Sequence, residues 1–381
     1  MNRLFSSLWS APADSVITKD IYHPAKGSWI ILVSVLLALF GLANLYSITS
    51  SMEKPYFLLQ LRHWLVGLAI IVSCVLLLSH KTIKQYAYPF VIFHVILLVI
   101  VLWLGDASGG SRRWLDLGII RFQPSELSKV AMALLGAKFL STRKHLYIHS
   151  LQSLLPLLAA AIGLCLLIFL QPDLGTAALT FLVVVVQLMF VRIHKKSIWI
   201  AGLLGICSLA MGWLFILHDY QKQRIFALLH PQLDPTGRSY SQLQSLVAVG
   251  SGGDTGKGFL NGTQSHLRFL PSHHTDFVFS GLAEEHGFWR SCIVFILFAM
   301  LTYLGLAVGR DSKDSFLALL AIGITTSFFL AFCVNIAMVV GLFPVVGVVL
   351  PFFSYGGSAV IALAMMLALL LIIDSYNNRV T

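Results

Sequence analysis

The sequence predicts an all-α integral membrane protein of ten transmembrane helices, with one long, partly helical extracytoplasmic loop between the seventh and eighth. Three observations lead there. Hydrophobic residues make up 57% of the 381-residue chain and charged residues only 11%, whereas a water-facing surface needs roughly 25% charge. Charge-free stretches recur at lengths suited to the hydrocarbon layer, which takes about 20 helical residues to cross. Basic residues are unevenly shared between the connections. The same composition excludes disorder and collagen.

The elements follow in chain order. Residues 1–28 are polar, lack a small-residue cleavage site, and read as a cytoplasmic tail ahead of a retained first span. Charge-free runs at 27–52, 63–80, 85–105, 145–172, 174–191, 197–218 and 291–309 supply seven spans. The 59-residue run 315–373, broken near Pro344 to Gly357, supplies two more at 316–342 and 357–373. The tenth, Glu126 to Leu140, is a poor span because it holds Glu126, Lys129 and Lys138; it is counted because ten spans balance the charges. With the N-terminus inside, 14 Lys and Arg residues fall on cytoplasmic segments and 5 on short outside loops, as the positive-inside rule demands. The net charge of +10 therefore reports topology, and no basic stripe interleaved with aromatics speaks for nucleic acid. Residues 29–376 form one membrane domain, followed by a cytoplasmic tail at 377–381. Within it, Asp219 to Thr275 is a 57-residue outside loop, far longer than the usual connection of about 4–6 residues. Helical periodicity at Tyr240–Val249 says it is folded. Cys74, Cys165, Cys207, Cys292 and Cys333 lie in apolar runs without a CxxC pair, which favours neither zinc nor a disulfide framework.

Ionisable residues at span ends or inside spans are expensive, and so are candidates for function. Asp276 is expected to open the eighth helix, either as an acid complementing the helix dipole with Thr275 as cap or as a general base at the membrane surface. His273, His274 and Thr275 crowd the same spot. Glu126 and Lys129 are three apart and share a helix face; they form a self-neutralising pair or, the favoured reading, the polar wall of a cavity, with Arg121 and Gln123 just upstream. Asp173 reads as a helix N-cap after a tight turn. Glu284 and Glu285 read as structural, with Arg290 as a partner. Residues 250–262 contain six glycines and Lys257 but neither a P-loop nor a dinucleotide fingerprint. They form a flexible turn, or backbone N–H groups that cradle a diphosphate. A hard cation held by carboxylate and substrate diphosphate would suit Asp276.

Several segments together are similar to the SEDS family (shape, elongation, division and sporulation): Arg113-Trp114-Leu115-Asp116-Leu117-Gly118, Arg121-Phe122-Gln123-Pro124-Ser125-Glu126, Gln171-Pro172-Asp173-Leu174-Gly175-Thr176, His274-Thr275-Asp276-Phe277, Ala283-Glu284-Glu285 and Ser354-Tyr355-Gly356-Gly357. The match runs from about residue 27 to 375, in the family's order. Asp219-Tyr220-Gln221-Lys222-Gln223-Arg224 resembles the elongation branch more than the division branch.

The resemblance implies a peptidoglycan glycosyltransferase of the bacterial inner membrane, with both termini cytoplasmic. It would polymerise lipid II beside a class B penicillin-binding protein within the elongation machinery. It implies Asp276 as the essential acid and Arg121, Gln123, Glu126 and Lys129 as the polar cavity wall; Asp173, Lys257 and His274 complete the expected substrate-binding set. A divalent cation, Mg or Mn, is a candidate cofactor with Asp276 as its candidate ligand. One departure stands out: Ser272 and His273 occupy places where the family often has an acidic and then another polar residue, which leaves Asp276 without a carboxylate neighbour in sequence. Chemically, one base suffices, because a lipid diphosphate leaves readily and requires no general acid of the kind glycosidases use. The alternatives are a lipid II flippase or transporter and a division-specific polymerase of the same family.

Overall fold

The structure is a computed structural model describing residues 26–108, 111–116, 121–142, 150–216, 219–229, 239–267 and 269–380. The predicted tail at 1–28 and the loop stretch 230–238 therefore lie largely outside the described residues. The helices are α1 (Lys26–Ile48), α2 (Tyr56–Leu77), α3 (His80–Leu104), α4 (Ser128–Ser141), α5 (Leu151–Phe169), α6 (Leu174–Met189), α7 (Lys195–Met211), α8 (Asp219–Leu229), α9 (Tyr240–Gly252), α10 (Thr263–His266), α11 (Val278–Asp311), α12 (Ser315–Val339) and α13 (Gly357–Val380). Among the described residues seven are long and apolar enough to cross a membrane: α1, α2, α3, α5, α11, α12 and α13. That establishes an integral membrane protein.

The reading as purely α-helical is corrected at one place. Residues 106–122 form a small antiparallel sheet, β1 (Asp106–Ser108), β2 (Ser111–Asp116) and β3 (Arg121–Phe122), in the order β1-β2-β3. Strands this short carry no period that a sequence can display.

The poor span finds its explanation in burial. A single 3₁₀ turn over Pro124–Leu127 leads into α4, whose residues Ser128 to Ala137 are all buried by protein. Lipid does not have to accept Glu126 and Lys129, because α12 and α13 enclose that end of the bundle. These two are also the most enclosed of the long helices, with 78% and 72% of their apolar windows buried against 11% for α2. A buried amide fastens this centre: Gln187 Nε2 donates to Ala133 O at 3.0 Å and to Leu319 O at 2.9 Å, tying α4, α6 and α12. Left without these acceptors, the buried Gln187 N–H groups would cost about 1–3 kcal/mol.

At one end of the bundle charges are paired between helix ends. Lys26 bridges Asp311, Lys84 bridges Asp314 at 2.7 Å, and the amide of Gly27 donates to Asp374 Oδ2 at 2.8 Å. The opposite end carries the sheet, the folded loop and an irregular segment, residues 340–356, between α12 and α13.

Candidate active site

Asp276 belongs to a run of tight turns just before α11. Ser272, at φ +52°, offers its carbonyl to three successive amides: Thr275 at 3.1 Å, Asp276 at 3.1 Å and Phe277 at 3.3 Å. Helix α11 begins only at Val278, with Phe277 in the cap position and no side-chain cap bond. The expectation that Asp276 opens the helix, capped by Thr275, is corrected: its carboxylate is left for other work. That carboxylate faces the 340–356 segment, where a Cβ added to Gly347 would lie 3.8 Å from Asp276 Oδ2.

Asp276 is half-buried, and burial pushes its carboxyl up to about 6. Arg224 opposes the shift, Asp173 adds to it and Arg113 opposes it. These four groups come from β2, the α5–α6 connection, α8 and the turn before α11. The structure thus supplies from 103 positions upstream the second acid that residues 272 and 273 do not provide. Asp173 is buried. It accepts from Gln123 Nε2 at 3.2 Å, from Ser125 Oγ at 3.3 Å and, through Oδ1, from the amide of Thr176 at 3.3 Å. The last bond makes it the N-cap of α6 as expected. Arg113 Nε donates to Gln171 O at 2.8 Å, and its Nη2 to Pro172 O. Arg224 Nη1 donates to Val345 O at 2.9 Å. Neither arginine was singled out on the sequence as a site residue; both were visible only as parts of motifs.

Aromatic rings flank the acid. The His274 ring lies 4.5 Å from that of Tyr56, which stands edge-on to Tyr355 at 5.0 Å. Burial first, then His273 and Lys54, hold His274 down to about 4, so it is neutral at pH 7.

The other expected site residues are distributed more widely. Glu126 and Lys129 pair at 2.8 Å, both buried. They line a small cavity of about 30 Å³ together with Phe328, Leu350, Phe352 and Ser354. The two readings of this pair, self-neutralising and cavity-lining, hold together. Arg121 is exposed on β3, 3.4 Å from Asp116.

Lys257 Nζ sits 2.6 Å from the fully buried Glu284 and 2.8 Å from Thr263 Oγ1. Its amide and that of Gly258 donate to Glu284 O at 3.0 Å and Glu285 O at 2.9 Å, while those of Gly253 and Gly256 donate to Gly250 O at 3.3 Å and Gly252 O at 2.9 Å. These four N–H groups, expected to cradle a diphosphate, are engaged within the protein. Arg290 is exposed and partners neither acid. Glu285 instead accepts from Ser47 Oγ at 2.6 Å, and His266 Nε2 stands 3.4 Å from it.

Among the described residues no three His, Cys, Asp or Glu side chains gather as a metal cage.

Comparison with known proteins agrees with this architecture. Residues 28–379 match the model of the FtsW/RodA/SpoVE family of cell cycle proteins. The chain is 41% identical over 287 residues to the peptidoglycan glycosyltransferase MrdB of Escherichia coli K12, covering 75% of this chain and 77% of that protein. It superposes with a TM-score of 0.78, at 26% identity, on a chain of a peptidoglycan synthase complex described as coordinating polymerization and crosslinking, covering 92% and 98% of the two chains. For the rod shape determining protein RodA of Thermus thermophilus the TM-score is 0.65, again at 26% identity, with 91% and 96% covered. With a family match over nearly its whole length, the chain belongs to the FtsW/RodA/SpoVE family.

Proposed function

We propose that the protein is a peptidoglycan glycosyltransferase that polymerises lipid II into β-1,4 glycan during cell elongation. The observation that carries the reading is the half-buried Asp276 carboxylate, pushed up to about 6 by burial and within the electrostatic reach of Arg113 and Arg224. A base works best when its pKa lies near the operating pH, so that it is ionised yet proton-hungry. Asp276 takes the proton from the C4 hydroxyl of the acceptor sugar. That oxygen bonds to the donor anomeric carbon as the bond to the lipid diphosphate breaks, and one displacement turns an α-linked donor into a β linkage. Arg113 and Arg224 offset the charge that develops on the departing diphosphate. They take over from Arg121 and Lys257, whose own acids occupy them. Gln123 and Ser125 hold Asp173 beside the base. A divalent cation would be held by Asp276 and Asp173 and would supply further neutralisation of the diphosphate.

Ten membrane spans support the geometry: the seven long helices plus the shorter α4, α6 and α7. The charge-paired end faces the cytoplasm and Asp276 the exterior, where the sugars react while the lipid tail stays in the bilayer. Elongation rather than division, and a class B penicillin-binding protein as partner, are supported by the relatives named above. The test is polymerisation of lipid II by Asp276→Asn. A loss of at least ~100-fold in rate is expected, within the usual contribution of a general base; turnover at the wild-type rate would sink the reading.

A further inference from the structure

The segment between α12 and α13 does more than wall the cavity. Three consecutive carbonyls of the turn that bears Asp276 are held from it and from α12. The amide of Tyr355 donates to His274 O at 2.9 Å. Ser354 Oγ donates to Thr275 O at 2.6 Å. Asn335 Nδ2 donates to Asp276 O at 2.9 Å. Each donor is itself fixed. Asn335 is fully buried and spends its second N–H on Val348 O at 2.7 Å. Ser354 is buried and accepts from the amide of Leu350 at 2.8 Å, while Gln60 of α2 donates to Ser354 O at 3.1 Å. The amides of this turn are satisfied internally, by the one carbonyl of Ser272. Its carbonyl side is therefore what docks it on the rest of the molecule.

We propose that Asn335 and Ser354 are positioning residues for Asp276, setting the direction of its carboxylate through the backbone of residues 275 and 276. This rests on the reading of Asp276 as the base. The chemistry specifies the residue types. A single amide nitrogen that must satisfy two carbonyls needs two N–H bonds, which Asn has and Asp, Ser and Ala lack. The 354 position needs a group that donates and accepts at once, which a hydroxyl does. Displacement of a reacting group by about 1 Å can lower a rate ~100-fold with binding intact.

The experiment compares lipid II polymerisation by the full-length protein carrying Asn335→Ala, Ser354→Ala, Ser354→Thr or Gln187→Ala, with kcat counted per folded molecule. Gln187 is the matched control: its single amide nitrogen also ties two buried carbonyls, but at the centre of the bundle. Expected are a kcat lower by ~10–100-fold for Asn335→Ala and for Ser354→Ala with KM within about 2-fold of wild type. Ser354→Thr, which keeps the hydroxyl, retains most of kcat, and Gln187→Ala loses folded protein but not kcat. If Asn335→Ala and Ser354→Ala lose no more kcat per folded molecule than Gln187→Ala, or lose it only through KM, the proposal is overturned. Should Asn335→Ala fail to fold, Ser354→Ala set against Ser354→Thr still decides. Failure of the base reading would show separately, as full turnover by Asp276→Asn.

Discussion

Asp276 pays in stability for its readiness to take a proton. Its folded-state carboxyl titrates at about 6 because burial penalises the ionised form. For a carboxylate raised above its unfolded value, the ionised fold is the penalised one. Stability is fully present below about 4 and falls as pH rises from there to about 6. At pH 7 Asp276→Asn, which removes the charge, should therefore stabilise the fold by on the order of 1 kcal/mol after allowance for partial solvent screening. The same substitution removes activity. A thermal midpoint at pH 7 that rises as turnover disappears is the expected signature; a midpoint that falls contradicts the electrostatic account. Polymerisation should increase through about pH 6 and level off above it. His274, held down to about 4, should add no second step near 6.5. A rate profile flat from pH 5 to 8, with chemistry rate-limiting, would remove Asp276 as the titrating base.

At the level of elements, α11 and the glycine-rich loop act as one unit. Gly287 interrupts the helix at φ 70°, and the loop enters the break: the amides of Phe288 and Trp289 donate to Gly253 O at 2.9 Å and Asp254 O at 3.3 Å. A Cβ on Gly287 would stand 2.3 Å from the amide of Gly256. The fully buried Glu284 then fastens the loop through Lys257, Thr263 and Gln264, and the fully buried Glu285 holds Ser47 of α1, whose hydroxyl accepts from the loop amide of Leu260 at 3.0 Å. Removing Lys257 leaves Glu284 short of its cation, a loss of about 1–3 kcal/mol. If Lys257 serves the loop and not a diphosphate, Lys257→Ala should increase proteolysis between residues 250 and 266. Adding Glu284→Gln should restore both protease resistance and polymerisation to within about 3-fold. A double variant that is stable yet inactive would return Lys257 to the substrate.

For the molecule as a whole, much was legible because lipid imposes a simple code. The charge-free runs gave the long helices, and the break near Pro344 to Gly357 is seen between Val339 and Gly357. The loop helix expected at Tyr240–Val249 runs Tyr240–Gly252. The site was legible as single residues, Asp276, Asp173 and His274, and not as an arrangement. Asp276 stood out as an acid at a span end, but its neighbours Arg113, Asp173 and Arg224 reach it from three separated segments, and no spacing along a chain encodes that meeting. The sheet at 106–122 and the carbonyl clamp escaped for the same reason: backbone pairing leaves no residue signature. What the whole fold does determine is that the two ends of the bundle differ. Lys26, Lys84, Asp311, Asp314 and Asp374 gather at one end, and Asp276 lies before the other end of α11, whose continuous part beyond the break at Gly287, residues 288–311, is about 36 Å long at 1.5 Å per residue. A segment of that length can cross a hydrocarbon layer about 30 Å thick. Asp254 is exposed on the Asp276 side, and Lys313 is exposed at the paired end. In a background with the five native cysteines replaced, Asp254→Cys should react with a membrane-impermeant maleimide in intact cells. Lys313→Cys should react only after permeabilisation, since the end richer in basic residues stays in the cytoplasm. The reverse pattern would put the base on the wrong side of the membrane for wall synthesis and would end the glycosyltransferase reading, however well the site geometry suits it.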